Sequence, residues 1–345
     1  MSFVEVVRGG WVESRHRVDV AVADEAGHVV AFVGETDGLV FYRSAAKPMQ
    51  ALPLVEENVA ERIGLTEAEL ALCCASHEGT PEHVSVARSI LAKAGVDEGL
   101  LRCGVQAPYS ASSARAIHAA GGSPERVHNN CSGKHAGMLA LAVGMGWDPV
   151  DYHEPDHPVQ RRMLAEIARW SGESPDRIAS AVDGCGVPCF AVPLAAMAAS
   201  FARFGAAARD GHPAGRIVRA MTSRPFMVGG AGRACTDVMA RSEGRLVVKL
   251  GAEGVYGGAI PGEGLGLAIK VSDGGRRAVE VALVHVLSEL GALRPLEVAA
   301  LRRHGRPDIL NTRHERVGEI RPAFTLERTG PGNLPAGATS TILEC

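Results

Sequence analysis

Two short apolar runs, 18–22 and 29–33, flank the turn-like Asp24-Glu25-Ala26-Gly27 and predict a β-hairpin near the start of the chain. The period then changes. Ser44 caps a predicted helix running through Lys47 to about Glu57, with Pro48 tolerated in its first turn. The three-residue spacing puts Ser44 and Lys47 on one face, where their side chains can meet. An apolar run over 70–75 stops at the polar turn Ser76-His77-Glu78-Gly79, so Ser76 lies at an element end, a place that often displays functional side chains. A helix is expected from about Pro81 to Ala94, and helical spacing recurs over 132–145, 157–171 and 193–204, punctuated by Gly and Pro. After Gly244 two strands, 246–250 and 265–271, flank the glycine-rich 251–264, and 278–290 reads as a helix packed on them. The remainder, with Pro331-Gly332 and Pro335-Ala336-Gly337, reads as an irregular closing segment. No repeat and no linker interrupts the pattern. The expectation is one α+β (mixed α/β) domain over 1–345, sheet-containing over 1–60 and 244–330 and mostly helical over 61–243.

Composition narrows the function. A hydrophobic content of 46% over 345 residues can fill a substantial core. The formal charge is −3 and the two signs are interleaved, which leaves no basic stripe for nucleic acid or an anionic membrane surface. The N-terminus lacks a long apolar stretch and no segment offers about 18 uninterrupted apolar residues, so a soluble, cytoplasmic protein is expected. Eight cysteines are too few for a disulfide scaffold. Of these, Cys73, Cys74 and Cys103 sit in apolar surroundings and read as core residues.

Lysine usage points to chemistry. Of 36 basic residues only Lys47, Lys93, Lys134, Lys249 and Lys270 are lysines; the rest are arginines. A lysine kept in such a background marks places where an amine must lose its proton, which arginine cannot do. Lys93, in an amphipathic stretch, and Lys270, at a strand end, read as structural; the other three lie in Ser44-Ala45-Ala46-Lys47, Cys131-Ser132-Gly133-Lys134-His135 and Lys249-Leu250-Gly251. In Ser-x-x-Lys, a lysine in an apolar pocket loses the solvation of its charged form, and the neutral amine can take the serine proton. The motif alone is weak. Its order, however, resembles that of penicillin-recognising serine enzymes and serine glutaminases: hairpin, Ser-x-x-Lys helix, helical middle, Lys-x-Gly strand, helix. Leu250 lacks the hydroxyl of Lys-Thr-Gly, which argues against a β-lactam substrate.

Cys131 and Cys185, joined by His135 or Cys189, suit zinc by ligand type, but their spacing matches no standard structural-zinc pattern and equally fits buried thiols at a turn. The histidines show no clear pattern. The loop 229–235 lacks the Gly-Lys-Ser/Thr ending of a phosphate loop and reads as a tight turn.

Taken together, Arg43-Ser44-Ala45-Ala46-Lys47-Pro48, Cys74-Ala75-Ser76-His77, Asn130-Cys131-Ser132-Gly133-Lys134-His135, Asp156-His157-Pro158, Asp183-Gly184-Cys185-Gly186 and Gly232-Arg233-Ala234-Cys235 resemble the asparaginase II family, the Rhizobium etli type of L-asparaginase. The resemblance covers nearly the whole chain. It implies hydrolysis of L-asparagine to L-aspartate and ammonia, on a fold similar to serine β-lactamases, penicillin-binding proteins and glutaminases, with a mainly antiparallel sheet flanked by helices, and usually as a homodimer. Two Ser-Lys pairs are implied, Ser44 with Lys47 and Ser76 with Lys249; the expectation is that Ser44 attacks with Lys47 accepting its proton, Ser76 being the alternative nucleophile. Cys131, Lys134 and Cys185 match a zinc site close to the reacting centre. Arg43, His135, Asp183 and Cys235 fall on substrate-side positions, Asp183 suiting an α-ammonium group. The rival expectations are a glutaminase or other small-amide hydrolase, and a cytosolic zinc-binding or redox-sensing protein built on the cysteines.

Overall fold

The computed structural model describes residues 2–329; the closing segment around Pro331 to Gly337 lies outside them. Twelve strands, β1 (Phe3–Arg8), β2 (Trp11–Asp24), β3 (Val29–Val33), β4 (Leu39–Phe41), β5 (Ala179–Val182), β6 (Pro188–Pro193), β7 (Val247–Gly251), β8 (Val255–Ile260), β9 (Leu265–Val271), β10 (Asp308–Leu310), β11 (Arg316–Ala323) and β12 (Glu327–Arg328), make up two sheets among the described residues. The larger runs β10-β11-β1-β2-β9-β8-β7, with β3 paired to β2 and β12 to β3; the smaller is β4-β6-β5. Every pairing is antiparallel. This is the expected α+β architecture, with helices filling most of the chain between β4 and β7.

The hairpin β2–β3 forms as expected, but the glycine-rich 251–264 is not a loop: it contains β8, buried from end to end. The reason is packing. Cross-strand register puts Gly257 opposite Ala268 and Ala259 opposite Gly266, so small residues share one face of the sheet. The helix Leu194–Arg209 lies directly on that face. A β-carbon at Gly257 would fall 2.0 Å from the Phe201 ring, and one at Gly266 would fall 2.2 Å from the Ala198 carbonyl oxygen. The glycines weaken the strand signal in the sequence while allowing the closest approach of helix to sheet. On its other side the same helix meets the helices Pro158–Ser171 and Ala214–Ser223 and so joins the sheet to the helical region.

The helix expected from Ser44 to Glu57 is broken. Arg43–Ala46 turns as a 3-10 helix, Lys47–Ala51 is α-helical, and Pro53, which has no N–H to donate, starts a separate short segment, Pro53–Glu56. The other predicted helices form as Pro81–Ala94, Ser132–Gly144, Pro158–Ser171, Leu194–Arg209 and Arg276–Glu289. None of the helices among the described residues is long and apolar enough to cross a membrane.

Candidate active site

Lys47, Ser76 and Lys249 come from three distant elements and meet in the interior. Ser76 follows the helix Glu67–Cys73, whose start is fixed by a capping box between Thr66 and Glu69, and its own N–H donates to the Val228 carbonyl at 3.0 Å. Lys249 sits on β7 opposite Gly257, which turns its side chain toward the face covered by helices. Lys47 begins its α-helical segment. Both lysines are 1% exposed.

The Ser76 hydroxyl lies between the two amines, 3.1 Å from Lys47 Nζ and 2.9 Å from Lys249 Nζ. Lys249 also donates to the Leu250 carbonyl at 2.8 Å. Burial removes the hydration of its charged form and the charges of Lys47 and Arg233 repel a further proton; against the opposing pull of Cys235, these bring its pKa down to about 7. Lys47 reaches two further acceptors, the Ala75 carbonyl at 2.5 Å and Cys131 Sγ at 3.2 Å. The expected pair of Ser44 with Lys47 is therefore not joined: the three partners of Lys47 take all the donors an ammonium group has, and the Ser44 hydroxyl makes no hydrogen bond among the described residues. The structure instead links Lys47, Ser76 and Lys249 in a chain.

Ser44 is presented by a strained backbone. Arg43, just before it, has φ of 49°, in the left-handed region that a side chain disfavours. Its guanidinium is held by Asp183 at 2.8 Å. Burial alone would raise the Asp183 carboxyl, but Lys134 and Arg43 outweigh it and keep the group below the usual carboxylate range. Of the amides beside it, the Ala45 N–H already donates to the Tyr42 carbonyl at 3.0 Å and the Lys47 N–H to the Ser44 carbonyl, whereas the Ser44 N–H has no backbone acceptor among the described residues.

Cys131, Lys134 and Cys185 gather beside this chain. Gly133 allows it, since a β-carbon there would lie 2.3 Å from the Leu72 carbonyl oxygen. Lys134 Nζ is 3.0 Å from Cys185 Sγ. Cys185, beside the Cys131 thiol and the Lys134 amine, is held well below an ordinary thiol, and Cys131 is pushed up. Among the described residues no three His, Cys, Asp or Glu side chains form a metal cluster, so a metal here would rely on the Lys134 amine as its third donor. The two sulfurs, one already favouring its thiolate, suit zinc. The Lys134 amine, which burial would neutralise but Cys185, Cys131 and Asp183 keep charged, must release a proton before its nitrogen can serve as the third donor. His135 is fully buried and pushed well below the usual histidine range by burial; its Nδ1 is 2.6 Å from Tyr152 Oη, while Nε2 has no partner among the described residues. Cys235 Sγ lies 3.0 Å from Tyr256 Oη and accepts the Leu250 N–H at 3.3 Å, so it supports β7.

A pocket of about 200 Å³ opens onto this centre, lined by Ser44, Ser76, Asn130, Arg233 and the 250–254 turn. Of the substrate-side residues expected from the sequence, Arg43 and Asp183 neutralise each other and His135 and Cys235 are packed behind the centre. Asn130 and Arg233 were missed as pocket residues, although both stand inside motifs that the sequence singles out. A wider groove of about 570 Å³, between the helices Ala234–Arg241 and Pro295–Ala300, contains none of the candidate residues.

A family model described as L-asparaginase II matches residues 4–322. None of the curated proteins matches the chain. Among solved structures, the chain is similar to a β-lactamase from Mycobacterium bovis, with 14% identity over 80% of this chain and 95% of that one and a TM-score of 0.39. It is also similar to Mglu in its native form, with 17% identity over 81% of this chain and 65% of that one and a TM-score of 0.35.

Proposed function

The chain belongs to the L-asparaginase II family and is a hydrolase of amides, and on that basis we propose that it cleaves the side-chain amide of L-asparagine through an acyl-serine intermediate. The observation that carries the reading is the chain Lys47–Ser76–Lys249, in which a serine hydroxyl is bracketed by two buried amines, one of them with its pKa brought down to about 7.

Ser44 is the attacking hydroxyl. Its oxygen is free of hydrogen bonds and faces the pocket, and its own uncommitted N–H suits a developing oxyanion, whereas the Ser76 N–H is already committed to Val228. The Ser44 oxygen bonds to the amide carbon as its side chain turns the hydroxyl proton onto Lys47 Nζ, and Lys47 hands a proton through the Ser76 hydroxyl to neutral Lys249. The C–N bond then breaks, the chain returns a proton to the leaving nitrogen, and ammonia departs. Water attacks the ester and releases aspartate and the free serine. The hydrogen bond of 2.9 Å between Lys249 and Ser76 favours a second reading, in which Ser76 attacks with Lys249 as its base. Cys131, Lys134 and Cys185 would hold a zinc ion, which would supply a positive charge beside Lys47 and fix the loop that carries Asp183.

Ammonia release from L-asparagine by the purified protein tests the reading, with L-glutamine as the competing substrate. Clear preference for asparagine upholds it, and turnover of glutamine alone replaces it with a glutaminase. Mass spectrometry of Ser44→Ala and Ser76→Ala under turnover separates the two serines: the ester should be lost in the first variant and persist in the second. Metal analysis should find zinc in the wild type and lose it in Cys185→Ser, with the secondary structure unchanged.

A further inference from the structure

The arginines around the pocket differ in one respect. Arg43 is paired with Asp183 at 2.8 Å, Arg276 is 3.6 Å from Glu280, and Arg303 is bound to Asp237. Arg233 lines the pocket together with Ser44, Ser76 and Asn130, yet no carboxylate lies within 4.0 Å of it among the described residues. Glu280, the carboxylate whose charge Arg233 feels from farther off, is already shared by Arg276 and His304, and Glu253 lines the same pocket without bonding to Arg233. The guanidinium therefore keeps its donors for an anionic group of the ligand.

Its mounting is rigid. Arg233 ends the loop from Gly229, in which Gly230 has φ of 110° and Gly232 has φ of 74°, and it precedes the helix Ala234–Arg241. A β-carbon at Gly230 would lie 2.6 Å from the Glu78 side chain, so that loop is pressed against the turn following Ser76. Two residues on, Cys235 is tied to β7 through the Leu250 N–H. Arg233 is thus held by the two segments that deliver Ser76 and Lys249.

We propose that Arg233 is the specificity-determining residue of this pocket and binds the free α-carboxylate of the substrate, which restricts the enzyme to amides of amino acids with an unblocked carboxylate. The proposal rests on the amidase reading. It makes the tight-turn motif a recognition device and leaves Asp183 and Arg43 as a pair that satisfies itself.

The test compares L-asparagine with 3-aminopropanamide, which is asparagine without its α-carboxylate, in the wild type, Arg233→Ala and Arg233→Lys, and adds calorimetric titration with L-aspartate. Losing a charge-assisted hydrogen-bond pair should lower kcat/KM for L-asparagine roughly 100-fold, mostly through KM, with the loss on 3-aminopropanamide at least tenfold smaller. Arg233→Lys should fall between the two, and L-aspartate affinity should drop in parallel. Equal losses on both substrates, or an unchanged KM and unchanged L-aspartate affinity, would overturn the proposal. If the wild type releases no ammonia, the asparaginase reading fails while the titration still decides: Arg233-dependent L-aspartate binding upholds the subsite, and binding indifferent to Arg233 removes it. Should Arg233→Ala fail to fold, Arg233→Lys and Arg233→Gln answer the same question.

Discussion

Lys249 carries the clearest residue-scale prediction. With its pKa brought down to about 7 by burial, the amine is neutral above that value and charged below it. A proton acceptor must be neutral, so kcat/KM should rise with pH through about 7 and level off above it. Lys249→Arg, always charged, should lose most activity and show no such rise, as a stopped-assay pH profile would reveal. The scarcity of lysine made this legible, because it singled out Lys47, Lys134 and Lys249 before any contact was known. What the sequence could not convey was their partners. Three-residue spacing suggests that Ser44 and Lys47 meet, yet spacing says nothing of competing acceptors, and the Ala75 carbonyl, Ser76 and Cys131 arrive from segments remote in sequence.

Among the elements, β8 shows how packing can hide a strand. Gly257 and Gly258 read as loop because glycine gives no β signal, while the helix Leu194–Arg209 needs that bareness to seat the Phe201 ring. Gly257→Val should improve local strand propensity and still destabilise the protein by about 3 kcal/mol, since the ring has no room to retreat. Urea unfolding monitored by circular dichroism would measure it, with a lower midpoint at constant m. Where periodicity was strong and caps were present, as in Pro81–Ala94 and Pro158–Ser171, the pattern located helices well. It failed over 44–57, where two prolines divide a helical sequence into short pieces, and at the strands β4 to β6, whose few residues carry little periodic signal.

The whole molecule brings its reactive groups together across its largest internal boundary, Lys249 from the sheet and Ser76 and Lys47 from the helical region. Because the helix Leu194–Arg209 packs against both, neither part retains a core when separated, and denaturation should be one transition. Activity, tryptophan fluorescence and circular dichroism should therefore lose signal at the same urea concentration; an early loss of activity alone would show that the boundary opens first. The same burial has a practical side. Reagents that acylate amines, such as activated esters of polyethylene glycol, can reach only a solvent-facing lysine. Lys47 and Lys249 are 1% exposed and Lys134 is 5% exposed, so of the five lysines in the chain only Lys93 and Lys270 escape burial. Conjugation that would yield a heterogeneous mixture on a lysine-rich protein should modify only two lysine side chains, with the three buried amines untouched, and peptide mapping would confirm the positions.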